Sequence, residues 1–197
     1  MTRIVAGSVG GRILQVPRSG TRPTSDRVRE ALFSRLEHLD VVDGARVLDL
    51  YAGSGALGIE AASRGAAQVT LVDSGRDAAD VCRRNVAALG LGDRVVVAAE
   101  KADRFVQRPA TWDLVLVDPP YDVTEDELAA VLAPVALSAH GVLVVERGRR
   151  SPEPVWPGAM VRLDRRAYGD TVMWFAEASR SVQDGQPGTA EVQAADG

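Results

Sequence analysis

Apolar residues along this chain follow two rhythms, and the fold is expected to change where the rhythm changes. Between residues 45 and 146, short runs rich in Val and Leu alternate with stretches that are apolar only every third or fourth position. The runs at 45–51, 68–73, 94–98, 112–117 and 141–146 read as buried strands. The stretches from Gly55 to about residue 63, at 77–89 and at 125–134 read as helices, with a short helical turn near 103–106. Strands alternating with helices imply parallel pairing and right-handed crossovers. Residues 160–164 and 171–176 break this pattern, because only 165–170 separate them and Tyr168-Gly169-Asp170 supplies a turn. That spacing predicts a hairpin, which adds antiparallel strands to the end of an otherwise parallel sheet.

The first 36 residues are patterned differently. Apolar runs at 3–6 and 12–16 flank Gly7-Ser8-Val9-Gly10-Gly11, a combination that predicts a small β-hairpin. Two isolated strands are marginal in water, so this hairpin must dock on the main body or on a partner. A loop from Pro17 to Pro23 leads to a helix over 24–36, with Thr24 or Ser25 as N-cap and Asp26 in the first turn. Val28, Leu32 and Leu36 recur along one face of that helix. The expected division is an N-terminal hairpin and basic helix (1–36), a sheet domain (37–178) and a disordered tail (179–197) that lacks periodicity and large apolar side chains.

Composition narrows the setting. At 197 residues and 46% hydrophobic, the chain suits one domain with a sizeable core. No apolar run reaches the ~18–20 residues of a membrane span. The N-terminus lacks the basic-then-apolar pattern of a secretory signal, so a cytoplasmic location is expected. Cys82 is the single cysteine, which excludes an intrachain disulfide and a cysteine-based metal cluster and reads as a small core residue. His38 and His140 lie far apart in unlike contexts, and no metal site is expected. Trp112, Trp156 and Trp174 read as packing residues.

Charge changes the picture more than its total suggests. The net charge is −4, yet residues 1–36 carry seven arginines against Asp26 and Glu30. Basic charge gathered at one end of an acidic protein is a candidate phosphate-binding face. Arg3, Arg12, Arg22, Arg27 and Arg29 are the side chains expected to form it.

Candidate chemistry sits in two turns. Asp118-Pro119-Pro120-Tyr121 follows the apolar run 114–117 and ends it, because proline cannot donate to a sheet ladder. Open α/β sheets place their chemistry at such strand ends. Asp118 and the Pro119 carbonyl can accept hydrogen bonds from an amine, and Tyr121 can stack on a flat ring. The tetrapeptide resembles motif IV of the S-adenosylmethionine-dependent methyltransferases that modify exocyclic amines of nucleobases.

The second turn, Ala52-Gly53-Ser54-Gly55, joins a strand to a helix and lets the backbone approach a ligand closely. Gly53-Ser54-Gly55-Ala56-Leu57-Gly58 also satisfies the dinucleotide fingerprint. Asp49 discriminates: a carboxylate there can attract the ammonium of a methionine moiety and repels a pyrophosphate. The closing hairpin favours the same choice. Asp73, ending the second strand, is spaced to accept ribose hydroxyls. The expected S-adenosylmethionine contacts are Asp49, Tyr51, Ala52, Gly53, Ser54, Gly55, Asp73, Ser74, Ala102 and Asp118. Lys101 stands where related sequences often carry an acid, leaving backbone around Ala102, or Asp103, for the adenine.

Taken together, Arg3-Ile4-Val5-Ala6-Gly7, Gly11-Arg12, Arg22-Pro23-Thr24-Ser25-Asp26-Arg27-Val28-Arg29-Glu30, the glycine turn after Asp49, and Asp118-Pro119-Pro120-Tyr121 resemble the bacterial 16S rRNA guanine-N2 methyltransferase family known as RsmD. The resemblance covers about residues 1–176. It implies a Rossmann-like class I methyltransferase sheet of seven strands, S-adenosylmethionine as cofactor, and a guanine in small-subunit rRNA as acceptor. It further implies a ribosomal particle or assembly intermediate as substrate. A monomer is expected. The competing readings are an N6-adenine DNA methyltransferase, an NAD-dependent oxidoreductase built on the glycine turn, and a non-catalytic RNA-binding protein.

Overall fold

The computed structural model describes residues 2–17 and 25–179. Arg22, Thr24 and the tail expected to be disordered, apart from Ser179, lie outside the described residues. The chain enters through a minimal hairpin of β1 (Thr2–Arg3) and β2 (Ile13–Leu14), paired antiparallel with Thr2 opposite Leu14. Helix α1 (Asp26–His38) follows, and Ser25 is its N-cap, accepting the Val28 N–H.

The sheet contains seven strands in the order β5-β4-β3-β6-β7-β9-β8. β3 (Arg46–Leu50), β4 (Gln68–Asp73), β5 (Val95–Ala99), β6 (Thr111–Val117) and β7 (Ala136–Gly148) are parallel. β8 (Met160–Tyr168) and β9 (Thr171–Ala178) form the closing antiparallel hairpin. The expected architecture is borne out. Successive strand residues face opposite sides, and both sides are covered. Val47, Val69, Leu71, Leu114 and Leu116 pack beneath α1, α2 (Ala56–Ser63) and α3 (Arg76–Leu89). Leu48, Leu50, Val115 and Val117 pack beneath α4 (Ala102–Phe105) and α5 (Glu125–Leu132).

The N-terminal hairpin and α1 share the first of these cores rather than standing apart, since Ile4, Leu14, Phe33 and Leu36 belong to it. The hairpin is held by two residues of α2. Glu60, fully buried, accepts the Val5 and Ala6 N–H groups at 2.7 and 3.0 Å. Ser63 donates to the Ala6 carbonyl at 2.6 Å and accepts the Val9 N–H at 3.1 Å.

This docking corrects one expectation. Arg29 is fully buried, ion-paired with Asp26 and Glu60 and bonded to the Arg3 carbonyl, so it cannot reach a phosphate. With Arg64, which pairs with the other Glu60 oxygen at 2.8 Å, its charge balances Glu60, a buried anion that would be costly alone. Arg3, Arg12 and Arg27 are exposed.

The last three strands run longer than their apolar patterns. β7 begins at Ala136 and slips register against β6 near Gly141, where a Cβ would lie 2.8 Å from the Trp112 carbonyl oxygen. β8 and β9 continue to a two-residue turn, Gly169-Asp170, with Gly169 at φ +60°. Charged residues such as Arg165 and Arg166 read as loop but face solvent on an edge strand, and Arg165 stacks on Trp174 at 5.1 Å. Among the described residues, no helix is long and apolar enough to cross a membrane.

Gly7 measures how closely the hairpin docks, since a Cβ there would lie 2.0 Å from the Ser63 carbonyl oxygen at φ +84°. Gly7→Ala is expected to cost at least about 2 kcal/mol by clash and backbone strain. Gly44→Ala, with φ +70° and nothing within 4 Å, should cost only about 1 kcal/mol of strain. Denaturant midpoints of the two variants give the comparison.

Candidate active site

Sheet register assembles the site before any side chain is considered. Leu50 pairs with Val72 on one side and Val117 on the other, and Val117 pairs with Val145. The next row at the carboxyl edge is therefore Asp73, Tyr51, Asp118 and Glu146, drawn from four strands. β3 and β6 are neighbours where the strand order reverses, which is the crevice where open α/β sheets bind ligands. A cavity of about 420 Å³ opens there, lined by all four of these residues.

The glycine turn runs beside this row with its polar groups engaged. Asp73 accepts the Gly53 N–H through one oxygen and the Gly75 N–H through the other, both at 2.8 Å. The buried Cys82 thiol donates to the Gly53 carbonyl at 3.3 Å. Burial first, then Asp49 and Asp73, pushes that thiol up to about 12, so it stays protonated. Gly53, Ser54 and Gly55 are buried. Neither they nor Ala52 and Ala102 line the cavity.

Asp49 also differs from expectation. It is 1% exposed, lies off the cavity wall, and accepts the Gly58 N–H at 2.8 Å in the first turn of α2. Of the two routes expected to a ligand ammonium, direct or through water, this position leaves the second, and the carboxylate holds the turn from beneath. Burial, reinforced by Asp73 and opposed by the Gly58 bond, raises its pKa to about 7.

Tyr51, directly after β3, has φ +64°, a conformation non-glycine residues rarely adopt, and lines the cavity wall. Burial first, then Asp103 and Glu127, raises its phenol pKa, while Arg147 pulls it down. Asp118 is half-buried, Pro119 buried and Tyr121 81% exposed at the rim. The segment after them is pinned at several points. Val123 N–H reaches the Pro120 carbonyl at 3.1 Å, Thr124 and Glu127 form a capping box for α5, and Arg147 bonds the Val123 carbonyl and pairs with Glu125.

The far wall was not anticipated. Glu146, Arg147 and Gly148 end β7, and Ser151 and Thr171 lie beside them. The signal was present: charged residues directly after the apolar run 142–145 sit at a parallel strand's carboxyl end, as Asp118 does. Arg149 and Arg150, both exposed, lie in the chain between the lining residues Gly148 and Ser151. Four acidic residues line the cavity, Asp73, Asp118, Asp122 and Glu146, whereas its one arginine, Arg147, is paired with Glu125. Such a wall suits a ligand bearing cationic and hydroxyl groups and repels a pyrophosphate. The volume lies within the about 300–1,000 Å³ usual for ligand sites. An acid-lined wall of this kind fits the cationic and hydroxyl groups of S-adenosylmethionine and does not fit the pyrophosphate of NAD.

The strand order, the antiparallel closing hairpin and the crevice at the reversal define a Rossmann-like class I methyltransferase fold. The solved structure "Putative methyltransferase yhhF from Escherichia coli" superposes with a TM-score of 0.80 at 32% identity, covering 91% of this chain and 99% of that one. A family model described as "Conserved hypothetical protein 95" matches residues 2–177, and the chain belongs to that family. "Ribosomal RNA small subunit methyltransferase D" of Escherichia coli strain K12 is 44% identical over 120 residues. That alignment spans 60% of this chain and 60% of the relative's length. "Putative rRNA methyltransferase YlbH" of Bacillus subtilis strain 168 is 35% identical over 178 residues, covering 86% of this chain and 95% of that protein. The family resemblance carried by the motifs is borne out.

The raised pKa of Asp49 makes a signed prediction. Its neutral form stabilises the fold fully below about pH 4, and this contribution is lost as pH rises through about 7. Asp49→Asn keeps an acceptor for Gly58 and cannot ionise. Its stability relative to the parent should therefore rise between pH 4 and 7, as followed by urea midpoints across that range.

Proposed function

We propose that this protein transfers a methyl group from S-adenosylmethionine to the exocyclic N2 amine of a guanine in 16S rRNA, within a small ribosomal subunit or an assembly intermediate. The observation that carries the reading is the half-buried Asp118-Pro119 turn in the wall of an acid-lined cavity, with the Tyr121 ring exposed at its rim. The names of the Escherichia coli and Bacillus subtilis relatives support rRNA as the class of acceptor.

The cofactor supplies a methyl group on a positively charged sulfur. The guanine amine is a poor nucleophile because its lone pair is conjugated with the ring. Asp118 and the Pro119 carbonyl accept its two N–H bonds, which draws the nitrogen toward tetrahedral geometry and turns the lone pair into the cavity. Alignment and fixed negative charge would then provide the rate gain without a covalent intermediate: as the N–C bond formed, the S–C bond would break with its electron pair going to sulfur, and the displaced N–H proton would leave along its hydrogen bond to Asp118. The base must leave its stack to arrive, and the exposed Tyr121 ring offers it a new stacking surface. Arg3, Arg12 and Arg27 hold backbone phosphates away from the cavity, and Arg149 and Arg150 hold them at its mouth. These contacts set position more than sequence.

Asp118→Ala is expected to lower kcat on small-subunit RNA by at least about 10²-fold, as loss of an aligned charge does. Cofactor binding should remain, and calorimetry beside the turnover assay separates the two effects. Near-normal turnover would remove Asp118 from the amine-acceptor role. Calorimetry with NAD should give no heat of binding.

Joint reversal of Arg27 and Arg149 to Glu should weaken RNA association and flatten its salt dependence by about one unit of slope per lost phosphate contact. An unchanged slope in a salt titration would take both residues out of the interface.

A further inference from the structure

The side-chain amide of Asn85 joins the N-terminal hairpin, which the proposed reaction uses to hold RNA, to the glycine turn expected to contact the cofactor. Asn85 lies on α3 and is 3% exposed. Its Oδ1 accepts the Gln15 N–H at 2.9 Å, and its Nδ2 donates to the Gln15 carbonyl at 3.0 Å. The second Nδ2 hydrogen goes to the Ser54 carbonyl at 2.9 Å, in the middle of the glycine turn. The amide thus pairs with Gln15 as a neighbouring strand would and spends its remaining donor on the cofactor turn.

Nearby contacts indicate why this bridge matters. Cys82, one helical turn earlier, takes the Gly53 carbonyl, so α3 fixes two successive carbonyls of the turn. Only Asn85 among these also holds the N-terminal extension, since Gln15 directly follows β2. Arg84 bonds the Gln15 side chain at 3.0 Å, and Arg12 reaches the Ala88 carbonyl at 3.4 Å, so the hairpin lies along the same helix. Aspartate at 85 would supply acceptors only, and an apolar residue would supply neither donor nor acceptor.

We infer that Asn85 is a positioning residue that couples the N-terminal, RNA-holding hairpin to the cofactor turn. This rests on the proposed function. Securing the hairpin against RNA steadies Gln15, and through Asn85 it steadies the Ser54 carbonyl. Equilibrium coupling of this kind is reciprocal, so bound cofactor tightens RNA binding by the same factor.

The test measures S-adenosylmethionine affinity by calorimetry on the full chain, with and without purified 16S rRNA. Four proteins are compared: the parent, Asn85→Asp, Asn85→Ala and Ser63→Ala. Unfolding midpoints establish first that each is folded. Asn85→Ala opens a polar space that water can occupy, and it serves should Asn85→Asp not fold. The parent should bind cofactor more tightly when RNA is present.

The Asn85 variants should lose at least about tenfold in cofactor affinity and lose the RNA enhancement. Their KM for cofactor should rise while kcat at saturating cofactor stays within about threefold. Ser63→Ala loosens the hairpin at Ala6 and Val9 and leaves Ser54 untouched, so its cofactor affinity should match the parent's. Parent-like affinity and RNA enhancement in a folded Asn85 variant would overturn the inference alone. An equal loss in Ser63→Ala would overturn it too, by tracing the effect to general loosening. A parent that binds no S-adenosylmethionine would instead overturn the cofactor reading, and the inference with it.

Discussion

The Asp73 carboxylate turns a strand order into a binding site. One oxygen holds the Gly53 N–H of the turn after β3, and the other holds the Gly75 N–H at the entry to α3. Two adjacent strand-to-helix connections are thereby fixed to a single acid at the sheet's carboxyl edge. The remaining polar groups of the turn find partners around it: Asp49 under Gly58, Cys82 on the Gly53 carbonyl and Asn85 on the Ser54 carbonyl. Most of these anchors belong to the sheet domain itself, and the Asn85 bond to the Ser54 carbonyl is the one whose side chain also holds the N-terminal hairpin.

The same edge divides charge by function. Asp73, Asp118, Asp122 and Glu146 line the cavity, while the exposed Arg149 and Arg150 follow its lining residue Gly148 and Arg3, Arg12 and Arg27 lie on the N-terminal elements. An acidic chamber with basic approaches suits a cationic cofactor and an amine inside, with phosphates outside. The net charge of −4 therefore says little about an RNA partner. The buried Arg29–Glu60 pair belongs to neither group and serves to dock the extension.

Much of the sheet was legible because parallel strands buried on both faces must be apolar, and the runs ending in Asp73 and at Val117 are nearly pure. Asp73 and Asp118 were legible as acids at strand ends. What escaped reading depends on distant partners. Glu60 meets Val5 and Asn85 meets Gln15 across 55 and 70 positions, and no local pattern marks either residue. Arg29 looked like its exposed neighbour Arg27 because burial depends on which helix face meets Glu60. The position of Asp49 near a strand end suggests a ligand contact, whereas its oxygen accepts the Gly58 N–H nine residues on, which no local pattern marks. β8 was cut short because charges on an edge strand resemble a loop.

The most direct measurement is a methyl-transfer assay in which the purified protein, isotopically labelled S-adenosylmethionine and unmodified small-subunit rRNA or particles are combined, and the labelled nucleotide is located by mass spectrometry. The account predicts a single N2-methylguanosine in 16S rRNA. Label found instead on N6 of adenine or on protein, or no label on any small-subunit substrate, would contradict it.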